Sequence, residues 1–200
     1  MPIPEEHAFD SLFSMAEGPT TGRLILRRWR EADRAPFRAL NADQRVMEFM
    51  PGLLTPEASD ALADRAELHF VRNGFGPFAA ELLQNGAFLG FIGLSIPRFD
   101  APFMPAVEIG WRLAADFWGQ GLATEGAREV LRWDFEELGL SEVVSFATDA
   151  NIRSRRVMEK LGMTHDPRDD FEHPSLPEGH PLRHHVLYRL NRPLEQIPPH

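Results

Sequence analysis

The run Val107-Glu108-Ile109-Gly110-Trp111-Arg112-Leu113, followed closely by Trp118-Gly119-Gln120-Gly121-Leu122-Ala123-Thr124-Glu125, reads as a strand, a glycine-bearing turn and the start of a helix. Side chains alternate along a strand, so Val107, Ile109, Trp111 and Leu113 take the core side, while Ala106, Glu108, Gly110 and Arg112 face away from it. Four residues of strand separate Glu108 from Arg112 by about 13 Å, too far for a direct bridge, so Glu108 needs another partner or water. Gly110 removes a side chain from that face and marks a bulge or a place where a ligand meets backbone. At the turn, small residues let main-chain amides approach an anion, and a helix beginning near Leu122 adds the positive end of its dipole. An ordinary tight turn has the same local composition. Two nucleotide-binding turns are excluded: no Gly-Lys-Ser/Thr follows, and no third glycine stands at the dinucleotide-fold spacing.

Outward from this stretch, Ala127, Val130, Leu131, Phe135 and Leu138 continue the helix at helical spacing to Gly139. A strand over 142–148, a helix over 152–161 closed by Gly162, and a last strand over 184–190 follow. Upstream, strands are expected over 24–29, 78–83, 88–96 and 106–113, the middle two joined through the hairpin signal Asn85-Gly86. Helices are expected over 31–40 and from Thr55-Pro56-Glu57 to just before Gly74. Residues 166–182 are polar and carry four prolines, which predicts a long surface loop with a functional role. The order predicts an α/β (α+β) domain on one mixed, mostly antiparallel twisted sheet with helices on both faces. Residues 1–20 read as a loosely held N-terminal arm, 21–193 as the domain and 194–200 as a tail.

The composition narrows the possible partners. Of 200 residues, 43% are apolar and 26% charged, which suits one domain. No apolar run is long enough to span a bilayer, and the acidic start lacks the pattern of a secretory signal, so the expectation is a cytoplasmic protein without a membrane partner. With no cysteine, thiol nucleophiles, disulfides and Cys-ligated metals are excluded. A net charge of −9 argues against nucleic acid, so any bound anion must sit at a focused site.

The second informative stretch is Asn151-Ile152-Arg153-Ser154-Arg155-Arg156-Val157-Met158-Glu159-Lys160-Leu161-Gly162. Asn151 is an N-cap, and Ser154, Val157, Met158 and Leu161 share one inward face. Arg153, Arg155 and Arg156 crowd a first turn whose dipole opposes cations, which either a nearby anion or simple solvation accounts for.

In this order, Glu108-Ile109-Gly110-Trp111, Trp118 to Glu125 and Asn151 to Ser154 resemble the GNAT acetyltransferase superfamily, and within it the RimJ/RimL-like branch, over about residues 21–193. The resemblance implies acetyl-CoA as donor, no metal, and a primary amine as acceptor, either a protein N-terminus or a small molecule. It implies that Trp118, Gly119, Gly121, Leu122, Ala123 and Thr124 bind the cofactor, with the amides of Gly119, Gly121, Ala123 and Thr124 on the pyrophosphate. Main-chain groups around Trp111 and Leu113 would hold the pantetheine arm and polarise the thioester, and Asn151 would fix the arm. Glu108 and Ser154 would be catalytic. A tyrosine often stands one turn after the serine in this family; here Met158 does, and the one tyrosine, Tyr188, is in the last strand. An α-amino group titrates near 8 and a lysine amine near 10.4, so a base is needed: Glu108, directly or through water, with Ser154 assisting the sulfur. A catalytically silent acyl-CoA-binding protein is the alternative. The oligomeric state stays open between monomer and homodimer.

For the acceptor pocket, Phe49, Met50, Pro51, Leu53, residues 99–104 and the 166–182 loop are candidates. Asp169, Asp170 and Glu172 in that loop would suit a cationic acceptor, or are solvated surface. His165, His173, His180, His184 and His185 are too irregularly spaced to suggest a metal.

Overall fold

The computed structural model describes residues 18–191, the side chains of Asp134 and Phe135 excepted. The first seventeen residues of the expected arm and the expected tail lie outside the described residues.

Eight strands form one sheet: β1 (Leu24–Arg27), β2 (Pro77–Leu82), β3 (Phe88–Ser95), β4 (Glu108–Leu113), β5 (Val143–Thr148), β6 (Thr164–His165), β7 (Phe171–Glu172) and β8 (His184–Leu190). Their order is β1-β2-β3-β4-β5-β8-β6, with β7 also paired to β8. Every pairing is antiparallel except β4 with β5. The helices are α1 (Arg34–Asn41), α2 (Pro56–Asn73), α3 (Leu122–Leu138) and α4 (Ile152–Lys160). Thr55 caps α2 by accepting from the amide of Ala58, and left-handed Gly74 ends it. The Asn85-Gly86 hairpin forms, with the Leu82 amide donating to the Ala87 carbonyl at 2.8 Å.

The alternation read along β4 organises the packing. Ile109 and Leu113 join Leu24, Leu26, Ile92 and Leu94 in the main core, under Leu122, Ala127, Val130 and Leu131 of α3 and Met158 of α4. Each fully buried Leu or Val there contributes about 1.5–3 kcal/mol. On the opposite face two separate apolar clusters form. One joins Phe37 and Leu40 of α1 and Ala63 of α2 to Trp29, Phe88 and Phe91. The other joins Phe103, Phe171, Val144 and Leu187 to Phe99 and Phe146. Between them the face stays open. An ion cluster of Arg27 with Asp33 and Glu81, both at 2.7 Å, anchors the chain entering α1 and so holds one wall of that opening.

Three expectations need correction. The first helix is shorter, because a 3-10 turn (Glu31–Asp33), closed by the Arg30 amide on the Asp33 carboxylate at 2.7 Å, precedes α1. The first strand stops at Arg27, where the side chain turns into that ion cluster. The 166–182 segment is not a featureless loop: a 3-10 turn (Pro167–Asp169) and β7 return it to β8, where Phe171 buries its ring in the aromatic cluster.

Gly90 joins β3 to β4 so tightly that a Cβ there would lie 2.0 Å from the Arg112 carbonyl oxygen, at a φ of +135°. Gly90→Ala is therefore expected to destabilise the protein by about 3 kcal/mol or more, read as a fall in the urea midpoint.

Candidate active site

β4 and β5 share a single paired position, Glu108 with Val144. Beyond it the strands part. The Val107 carbonyl accepts from the Val144 amide on the β5 side, while the Ala114 amide donates to Leu89 on the β3 side. Backbone groups alternate along a strand, so Trp111 and Leu113 direct theirs into the split. The Leu113 carbonyl is already bonded by the Trp118 indole at 2.8 Å, which leaves the main chain of Trp111 as the open edge.

Two cavities meet at this split. The larger, about 570 Å³, has Glu108, Gly110 and Arg112 among its lining residues. The smaller, about 360 Å³, is lined by Trp111, Leu113, Trp118, Gly119, Gly121, Leu122, Ala123, Thr124, Asn151 and Ser154. Phe49, Met50, Trp111, Arg112, Asn151 and Ser154 line both. Each of the residues expected to be catalytic or to bind the cofactor thus lines one cavity or the other.

The turn before α3 takes its form from Gly119 and Gly121, at φ of +74° and +79°. Gly121 is the N-cap and has no side chain to cap with, so the first amides of α3 are left without side-chain partners. Arg156 and Lys160 also line this smaller cavity, and neither has an ion-pair partner among the described residues. Arg153 is different: it pairs with Glu48 at 2.6 Å and stacks over the Trp118 ring at 4.5 Å. Arg155 pairs with Asp149 at 2.5 Å. The crowding of cations on α4 is therefore answered partly by the chain's own acids.

In the larger cavity, Glu108 finds across the sheet the partner that its own strand lacks: the Ser95 hydroxyl donates to its carboxylate at 3.5 Å. Burial dominates its surroundings and pushes its pKa up to about 8, against which the Ser95 bond works in the opposite direction. Gly110 leaves open space beside it, since a Cβ there would meet only Glu108 Oε1, at 3.7 Å. The Asn151 side chain accepts from the Ser154 amide at 3.2 Å and so fixes the first turn of α4. The Ser154 hydroxyl makes no hydrogen bond to another described residue.

The family is decided by the region 23–164, which matches the acetyltransferase (GNAT) domain. The chain belongs to the GNAT acetyltransferase family. Over 96 residues, 46% of this chain, it is 42% identical to the FsC-acetyl coenzyme A-N(2)-transacetylase of Aspergillus fumigatus, and the match spans 40% of that relative's length. An acetyltransferase structure from Agrobacterium tumefaciens has a TM-score of 0.70 at 28% identity, covering 87% of this chain and 94% of that one. The RimJ of Mycobacterium smegmatis, in complex with CoA-disulfide, has a TM-score of 0.67 at 22% identity, covering 88% and 90%. At that identity the likeness speaks for the fold.

Several acceptor-pocket expectations change. Phe49, Met50, Pro51 and Phe99 line the larger cavity, but exposed Leu53 does not. Asp169, Asp170 and Glu172 are turned away from it: Asp169 bonds Arg189 at 2.7 Å, Asp170 bonds His165 at 2.8 Å and Glu172 bonds His184 at 3.1 Å. They serve β8 and its neighbours, because the alternation of β7 and the 3-10 turn before it aims them at Arg189, His165 and His184 on the same edge. From that segment, His173, Ser175, Leu176 and Leu182 face the cavity instead. Burial lowers the pKa of His173 and of His185, so both imidazoles enter this wall neutral at pH 7. Among the described residues no group of three potential metal ligands forms. Tyr188 lines neither cavity; its hydroxyl donates to Glu159 at 3.3 Å. Arg112 was missed as a site residue, although its place on the Glu108 face of the strand was legible.

Proposed function

We propose that this protein transfers the acetyl group of acetyl-CoA directly to an α-amino group, with Glu108 as general base. The observation that carries the reading is the meeting of two cavities at Trp111, Asn151 and Ser154, one lined by uncapped amides and the other by a desolvated carboxylate. The amides of Gly119, Gly121, Ala123 and Thr124, with Leu122 and Trp118 shaping the wall and Arg156 and Lys160 nearby, bind the pyrophosphate. The open edge of β4 at Trp111 takes the pantetheine arm and polarises the thioester carbonyl, while Asn151 holds the arm's approach.

The amine nitrogen attacks the thioester carbon, Glu108 takes its proton, and the C–S bond breaks to leave the thiolate, which Ser154 steadies by donating a hydrogen bond. A base with a pKa of about 8 is matched to an α-amino group, whose ammonium titrates near the same value, whereas a lysine ammonium lies about 2.4 units higher. This match favours an α-amine over a lysine side chain as the acceptor.

Free thiol recorded with acetyl-CoA and matched α- and ε-amines tests this. Steady release with α-amines in preference is expected; CoA binding with no release on any amine overturns the transferase reading and leaves an acyl-CoA binder. Ser154→Ala is expected to slow the same assay about tenfold while leaving the KM for the amine unchanged, the loss of one hydrogen bond to a charged leaving group.

A further inference from the structure

Most arginines among the described residues are held by the chain's own acids, as Arg28 is by Glu67, Arg38 by Asp60 and Arg189 by Glu142 and Asp169. Three that line the larger cavity are not. Arg65 and Arg98 are exposed and have no ion-pair partner among the described residues. Arg112 is on the floor, and its contacts are all neutral. Its Nη1 donates to Asn41 Oδ1 at 2.7 Å, its Nη2 reaches only the Met50 thioether at 3.3 Å, and its Cζ lies 5.7 Å from the Phe91 ring. Its Nε is buried without an acceptor. The single carboxylate among the lining residues is Glu108. A protein of net charge −9 has thus placed three uncompensated cations around one cavity.

A desolvated guanidinium without an anion is unfavourable by itself, and a ligand that brings the anion relieves it. Gly110 leaves the stretch of floor between Glu108 and Arg112 free of side chains, so one molecule has room to reach both. The Met50 thioether is a weak acceptor, which makes Nη2 the donor that a stronger acceptor claims. We propose that the acceptor carries a carboxylate besides its amine, and that Arg112 receives this carboxylate while the amine stands at Glu108. Arg65 and Arg98 draw such a molecule toward the opening. The inference rests on the reading of this cavity as the acceptor site.

Two matched pairs of acceptors test it: alanine against alaninamide, and the peptide amide Ser-Glu-Ala against Ser-Gln-Ala. The first places the carboxylate on a free amino acid, the second on a peptide side chain, so the pairs separate the two sources. In at least one pair the carboxylate member is expected to be favoured about 10- to 100-fold in kcat/KM. The preference falls to within about threefold in Arg112→Gln and is partly kept in Arg112→Lys. Because both members of a pair are compared on one preparation, the ratio does not depend on how much of a variant is folded. Equal or better use of the neutral member in both pairs, or a ratio untouched by Arg112→Gln, overturns the proposal. Calorimetric titration of the same molecules in the presence of CoA separates the two readings. A carboxylate preference in binding without turnover supports the anion site and overturns the transferase, while turnover without any preference does the reverse.

Discussion

Glu108→Gln is expected to lower kcat by about 10²- to 10⁴-fold while acetyl-CoA affinity stays within about twofold. Glutamine keeps the shape of the side chain and can still accept from Ser95, but it cannot take a proton from the attacking amine. Glu108 is absent from the lining of the smaller cavity, so donor binding has no reason to change. The pH dependence supplies a second readout. A base with a pKa of about 8 is mostly protonated at pH 6, so wild-type kcat rises nearly tenfold per unit of pH up to about 8 and then levels. The residual activity of the variant lacks this limb.

Stability carries the opposite sign. Glu108 titrates higher in the folded chain than at its ordinary value of 4.5, so between about 4.5 and 8 the folded state holds a proton that the unfolded state has lost. Wild-type stability therefore declines across that window relative to the Gln variant, and melting at pH 5 and pH 9 should show the variant gaining by several degrees at the higher pH. A residue that loses activity and gains stability on the same substitution is a strained functional group rather than a structural one. A melting difference that is the same at both values would refute the desolvation of this carboxylate.

Ala123→Glu is expected to weaken acetyl-CoA binding by about 100-fold or more without lowering the melting temperature. Ala123 lies in the uncapped first turn of α3 and lines the smaller cavity. A carboxylate in a first turn favours the helix by about 0.3–1 kcal/mol, which offsets the replacement of the half-buried Ala123 methyl at the edge of the main core. The same carboxylate occupies the positive end of the helix and repels a pyrophosphate seated there. Calorimetry with CoA and a thermal melt together decide it: tight binding retained by the variant would place the pyrophosphate elsewhere.

Much of this site is legible along the chain because its parts are local. The two-residue alternation of β4 already separates Ile109 and Leu113 from Glu108 and Arg112. The small residues of 119–124 allow the left-handed turn that leaves amides uncapped, and the spacing of Asn151 and Ser154 produces the cap that is observed. Other features involve partners far apart in sequence. Ser95 meets Glu108 only because β3 and β4 pair in one register, and Asn41 reaches Arg112 from the end of α1. The acids at 169–172 looked available to an acceptor until the pairing of β7 with β8 brought Arg189 and His184 beside them.

Periodicity, capping and the demand for positive φ act over a few neighbouring residues, and they were enough to specify the strand, the turn and both helix starts that carry the chemistry. Charge compensation and desolvation depend on which distant groups the packed chain brings within a few ångströms. The parting of β4 from β5, the displaced pKa of Glu108 and the uncompensated guanidinium of Arg112 therefore exist only once the sheet has closed around them.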